Sequence, residues 1–279
     1  MNRERRITVL VENTAGRGDL LAAHGLSFWI EFGPRRILFD TGPGKILGAN
    51  ARTLGIRLEL ADAVVLSHGH YDHTGGLRDV VLTAPQMPVY AHPAAFARKY
   101  VRNPDGTASE IGLPYLDEEN ILDSIDVVRT KTPMEVCEGF HLTGPVPRGS
   151  DFEDTGGPFF LDMACGQPDE LVDDQAAFFE TPVGTVVILG CAHAGIINTL
   201  HFVQELTGNR PIHTVLGGMH LVSANKERLD RTVAELRRLG VRRLIPCHCT
   251  GFAASARLRH EFQEHCTPCP VGTVVNLED

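Results

Sequence analysis

The chain has no apolar run approaching the roughly 18–20 residues that a membrane helix needs, and no stretch of Lys or Arg longer than a pair. The first absence argues against a helical membrane span. The second, with a formal net charge of −9, argues against the electrostatic footprint of a nucleic-acid binder. Seven cysteines (137, 165, 191, 247, 249, 266 and 269) make an odd count, too sparse for a disulfide scaffold, which fits a reducing compartment. Residues Met1 to Arg6 lead straight into a strand-like segment without the apolar core of a signal peptide, so the expected location is the cytoplasm. No solenoid-length repeat is present.

What remains is ordinary globular material. Of 279 residues, 43% are apolar and 22% charged, enough for a sizeable core. The expectation is one layered α/β domain over 1–279, acting on a small molecule. A bound cation carries its own positive charge and can draw an anion into an acidic protein. A phosphate-bearing substrate therefore stays open.

Strands are expected at 7–11, 26–32 and 36–40, the last two joined by a Gly33-Pro34 turn, with Leu26, Phe28, Ile30 and Phe32 alternating against Ser27, Trp29 and Glu31. A short helix follows at about 45–54, then the apolar strand Ala63–Leu66 and another at 89–92. Pro93 suits the first position of a helix over 93–101. The stretch 102–176 is rich in Pro, Gly, Asp and Glu and reads as an insertion or lid. Three further strands, 184–189, 212–216 and 243–246, alternate with helices at 225–239 and 253–265, and 271–277 can close a sheet.

The chemistry concentrates at strand ends. His68, His70, Asp72 and His73 fall within six residues after the strand Ala63–Leu66, so one turn can aim several of them at a common centre. Imidazole and carboxylate donors suit zinc, with iron or manganese as alternatives. His193, His220 and His248 each follow one of the later strands, where open α/β sheets place their ligand-binding loops. Cys247/Cys249 and Cys266/Cys269 have the spacing of a structural zinc site, but the first pair alternates with His248 and faces away from it if the segment stays extended. Buried thiols are the preferred reading.

The pattern Ser67-His68-Gly69-His70-Tyr71-Asp72-His73 resembles the signature of the metallo-β-lactamase superfamily of metal-dependent hydrolases. That resemblance implies a four-layer αββα sandwich and one or two divalent metal ions, zinc foremost. It implies that His68, His70 and His193 hold the first ion and that Asp72, His73 and His248 hold the second. Asp40, in Phe39-Asp40-Thr41-Gly42, matches the superfamily's buried aspartate, which would accept a ligand histidine's other N–H. Many dinuclear members carry a bridging aspartate where this chain has Gly217-Gly218-Met219-His220. Two readings follow for His220: it completes the second site, or it lines the pocket as a proton donor.

Longer segments are similar to one branch, the dihydropterin-methyl-ribofuranosylaminobenzene-phosphate synthases. These are Gly190–Asn198, Leu216–Leu221, His248–Gly251, Thr143–Arg148 and Asp173–Ala176. The expected activity is hydrolysis by a metal-activated water, on a phosphate ester or phosphodiester. Asp72 and His220 are the candidate catalytic groups, and Arg148 is the candidate for holding the substrate anion. The alternatives are a synthase step in methanopterin assembly on a pterin and a ribofuranosylaminobenzene phosphate, a di-iron redox centre, and a non-catalytic ligand-binding descendant.

Overall fold

Strands buried on both faces are rich in apolar residues, and such strands lie in the interior of each of two sheets in the computed structural model. It describes residues 5–114 and 125–277. Residues 1–4 and 115–124, the latter inside the expected insertion, lie outside the described residues. The described residues divide into two compact units: 5–114, 125–131, 158–169 and 270–277 in the first, and 132–157 and 170–269 in the second.

The first unit is built on a seven-stranded sheet in the order β16-β1-β2-β3-β4-β5-β8. The strands are β1 (Arg5–Val11), β2 (Ser27–Phe32), β3 (Arg35–Phe39), β4 (Ala63–Val65), β5 (Val89–Ala91), β8 (Val127–Arg129) and β16 (Val274–Asn276). From β16 to β3 neighbours run antiparallel, and from β3 to β8 they run parallel. Three helices accompany it: α1 (Leu47–Thr53), α2 (Tyr71–Thr74) and α3 (Leu77–Thr83). Leu10, Trp29, Leu38, Val64 and Leu66 from the strand segments pack with Leu47, Leu77 and Val80 of the helices.

A helix over 93–101 does not form. Pro93–Phe96 makes one turn of 3-10 helix, opened by His92, whose Nδ1 accepts the Ala94 N–H at 3.2 Å. The chain then extends as β6 (Tyr100–Arg102), because tertiary pairing decides the matter. β6 lies between β7 (Ala108–Glu110) and β11 (Phe159–Phe160) in a three-stranded antiparallel sheet. Beside it the fully buried Lys99 meets Asp169 at 2.7 Å.

The second unit carries a six-stranded sheet, order β15-β14-β13-β12-β10-β9. Its strands are β9 (Met134–Cys137), β10 (Phe140–Leu142), β12 (Ala177–Thr181), β13 (Gly184–Leu189), β14 (Ile212–Gly218) and β15 (Arg243–Cys247). β13, β14 and β15 are parallel, and the helices between and after them are α4 (Ile196–Leu206), α5 (Lys226–Arg238) and α6 (Phe252–Phe262). Asn225 caps α5, its side chain accepting the Arg228 N–H at 2.8 Å. α6 stops short of the expected 265 because Gln263 takes a left-handed φ of 54°, after which Gln263–His265 is a 3-10 turn. Ile197, Leu200, Val215, Leu236, Leu244 and Leu258 form the core of this unit. Among the described residues no helix is long and apolar enough to cross a membrane.

The segment 102–176, expected to be an insertion, contributes β7 to β11; its residues 132–157 and 170–176 fall in the second unit, and 158–169 in the first.

Candidate metal centre

In the first unit the predicted ligands follow β4. Leu66 still accepts strand-like pairing, its N–H bonding the Tyr90 carbonyl at 2.9 Å. The chain then turns through Ser67-His68-Gly69-His70 into α2, so Asp72 and His73 project from the first turn of a helix. His68, His70, Asp72 and His73 are all buried. Gly69 is required by close approach: a Cβ there would lie 2.3 Å from the Ala95 carbonyl oxygen and 2.7 Å from its Cα, both main chain.

Asp40 stands at the C-terminal end of the parallel strand β3, fully buried, with φ 57°. Its Oδ1 accepts the Ser67 N–H and its Oδ2 the Ser67 hydroxyl, both at 2.7 Å. The same Oδ2 lies 2.7 Å from His73 Nδ1. Ser67 Oγ is also 3.0 Å from His68 Nδ1. One carboxylate thus orients two imidazoles, directly and through a hydroxyl, and leaves their Nε2 atoms turned to the other side. His68 Nε2 and His70 Nδ1 are 3.0 Å apart. Two nitrogens held at 2.0–2.1 Å from one tetrahedral ion would be about 3.3 Å apart, so the pair fits a shared cation.

Asp72 Oδ2 is 3.2 Å from Nε2 of His24, a residue that sequence reasoning missed. Nothing local marked it: His24 sits in the loop before β2, and only the fold brings it to the α2 turn.

In the second unit His193, His220 and His248 follow β13, β14 and β15, the three parallel strands. Ala192 (φ 55°), His220 (φ 44°) and His248 (φ 50°) adopt left-handed backbone, a conformation costing about 1–2 kcal/mol per non-glycine residue and concentrated at functional sites. His193 Nδ1 donates to the Thr155 carbonyl at 2.8 Å, which fixes the ring's tautomer and direction. The rings of His193 and His220 have centroids 4.2 Å apart. Gly156 packs flat on His220, since a Cβ there would fall 1.9 Å from the ring's Cδ2. Donor atoms of Cys191, His193 and His220 lie within 4.8 Å of one another, as do those of Cys191, His248 and Cys249.

The expectation that Cys249 faces away from His248 fails. β15 ends at Cys247 and residues His248–Thr250 form a 3-10 turn, so strand alternation no longer governs where the thiol points. Burial works against charge on both His220 and Cys249. Contact with Cys191 and the charges of His248 and His220 nevertheless hold the Cys249 thiol well below its ordinary range. The hydrogen bond and charge of Cys249 in turn raise His220. All seven cysteines are free thiols and six are buried.

Arg148 spends two of its five N–H donors on main chain, Nη1 to the His193 carbonyl at 3.1 Å and Nη2 to the Glu170 carbonyl at 2.7 Å. Its immediate effect is to fix the His193 loop. Asp174 supports that loop from within, accepting the Ala194 N–H at 2.8 Å. Burial lifts the Asp174 carboxyl from 3.8 to about 7, against hydrogen bonds from the Ala194 and His193 N–H groups and the charge of Arg148.

A raised folded-state pKa means that the native state holds the proton more tightly than the unfolded chain. The stabilisation is complete below about pH 4 and is lost as pH climbs through about 7. Its size is on the order of 4 kcal/mol, at about 1.4 kcal/mol per pK unit. Asp174→Asn keeps an acceptor and removes the ionisation. Denaturant midpoints measured from pH 5 to pH 8 should fall more steeply for the wild type than for this variant; parallel curves would refute the assignment.

Comparison with known proteins places these features in a family. Residues 35–118 match the model of a beta-lactamase superfamily domain. An uncharacterized protein of Methanocaldococcus jannaschii is 34% identical, over 90% of this chain and 93% of its own length. The 7,8-dihydropterin-6-methyl-4-(beta-D-ribofuranosyl)-aminobenzene-5'-phosphate synthase of the same organism is 29% identical, over 98% of this chain and 96% of its own. Among solved structures, a metal-dependent hydrolase of the beta-lactamase superfamily superposes with a TM-score of 0.84 at 31% identity, covering 99% of this chain and 100% of that one.

Proposed function

Because the chain belongs to the beta-lactamase superfamily and shares its α/β fold, we propose that it is a metal-dependent hydrolase acting on a small anionic ester, a phosphodiester or phosphate ester foremost. In this reading His68, His70 and His193 hold one divalent ion, zinc in preference to iron or manganese. Asp72, His73 and His248 hold a second, with His220 beside it. The observation that supports it most is the 3.0 Å approach of His68 Nε2 and His70 Nδ1, with Asp40 fixing the cluster from behind.

An ion so held would supply a water of lowered pKa and a Lewis acid for the scissile oxygen. The chain's own residues do the rest. Asp72 receives the proton released as water attacks, and His220, its pKa raised by Cys249, delivers one to the leaving oxygen. Arg148 steadies the His193 loop through two donors, and its remaining N–H groups are offered to the substrate anion. Free thiols accord with work in the cytoplasm.

A second reading, a synthase step joining a pterin to a ribofuranosylaminobenzene phosphate, is favoured by 29% identity over nearly the whole of both chains. One experiment separates them. The zinc-loaded protein should hydrolyse bis(p-nitrophenyl) phosphate, lose that activity on chelation and regain it with zinc. Absence of turnover on phosphodiesters and phosphate monoesters, with product formed from the pterin and the aminobenzene phosphate, would replace the first reading with the second. Metal analysis of the purified protein names the native ion.

A further inference from the structure

β14 ends in two glycines, and the geometry there leaves no room for a side chain. A Cβ on Gly217 would lie 2.1 Å from the Leu189 carbonyl oxygen, and one on Gly218 would lie 2.4 Å from that of Gly190. The same Gly218 Cβ would lie only 2.6 Å from Cys249 Sγ. The space that a residue at 218 would fill is therefore occupied by sulfur from the next strand's end.

Three contacts keep it there. The His248–Thr250 turn is tied to the end of β14 by the Met219 N–H on Thr250 Oγ1 at 3.1 Å and by the Val222 N–H on the Cys249 carbonyl at 3.2 Å. Cys249 Sγ itself rests 3.6 Å from the Cys191 carbonyl. Both sulfurs are buried, and Cys191 Sγ is common to the two donor groups, one with His193 and His220, the other with His248 and Cys249. The two thiols of Cys191 and Cys249 together with the His248 imidazole are a donor set, not a lone cysteine. Sulfur at 2.3 Å and nitrogen at 2.0–2.1 Å from one tetrahedral ion are about 3.6 Å apart, within the 4.8 Å reach of these atoms.

We propose that Cys249 is a metal ligand, its sulfur placed where the glycine-ended strand offers no side chain, with Cys191 as a second sulfur donor to the same centre. Binding replaces each S–H proton by the ion, with the proton released to solvent and no change of oxidation state. Thiolate donors make the centre selective for a borderline-soft ion such as zinc or ferrous iron over magnesium or calcium. The inference rests on the metal-centre reading above, and it assigns two residues that the histidine pattern did not include.

The test is X-ray absorption on the zinc-loaded wild-type chain. A sulfur shell at about 2.3 Å is expected beside the nitrogen and oxygen shell at about 2.0–2.1 Å. Cys249→Ser should remove one sulfur and Cys191→Ser another. In the cobalt form, Cys249→Ser should weaken the near-ultraviolet sulfur-to-cobalt charge-transfer band while the visible ligand-field bands persist. Stoichiometric zinc with only nitrogen and oxygen neighbours overturns the inference and leaves the metal centre standing. Failure of the wild-type chain to bind zinc, cobalt or iron removes both. The wild-type spectrum decides the matter even if a serine variant does not fold.

Discussion

Replacing His70 by alanine should strip most of the metal from the protein and lower turnover of bis(p-nitrophenyl) phosphate by on the order of 10³-fold. The estimate follows from the several kcal/mol of transition-state charge stabilisation that a bound ion supplies, at about 1.4 kcal/mol per tenfold in rate. His70 is buried, stands 3.0 Å from His68 Nε2 and packs its ring 5.0 Å from that of Phe159, so truncation also opens a cavity. A Phe159→Ala control separates the two effects, since it removes the packing and keeps the imidazole. Metal content by elemental analysis and turnover should fall together. A His70→Ala protein with its metal and rate intact would sink the ligand assignment.

The second large effect belongs to Asp40. Its carboxylate is fully buried and receives the Ser67 N–H, the Ser67 hydroxyl and His73 Nδ1. Asp40→Ala leaves three buried polar groups without that partner, each a loss of about 1–3 kcal/mol. A destabilisation of several kcal/mol is expected, together with a 10–100-fold loss of metal affinity, the usual consequence of removing a carboxylate behind a ligand histidine. Asp40→Asn keeps one acceptor oxygen and should recover part of the stability while the affinity stays low, because its amide places a donor where the second carboxylate oxygen accepted. Urea denaturation and competitive zinc titration read the two losses separately. Equal affinity in Asp40→Asn and wild type would show that the carboxylate only supports the fold.

The placement of the candidate residues was legible in the sequence because they follow apolar strands. Ala63–Val65, Gly184–Leu189, Ile212–Gly218 and Arg243–Cys247 form strands within a residue or two of expectation, and each delivers a histidine at its C-terminal end. Where the pattern misled, long-range pairing overrode local propensity. Pro93 begins a turn and not a helix because Tyr100–Arg102 pairs with two strands, one of them more than 50 residues later in the chain. His24 could not be found, since it reaches Asp72 across a loop with no local signal. Cys249 was misplaced because a strand's alternation was carried two residues too far, past Cys247 into a 3-10 turn.

Residue order alone determined the donor types, their place after apolar strands and the family to which the pattern belongs, because strand periodicity and ligand chemistry are local properties. Which nitrogen of each imidazole faces inward was decided only in three dimensions. Asp40 and Thr155 set that choice from positions 33 and 38 residues away from the histidines they hold. A hydrogen bond between such distant residues exists only once the core has packed, and no window of sequence contains it.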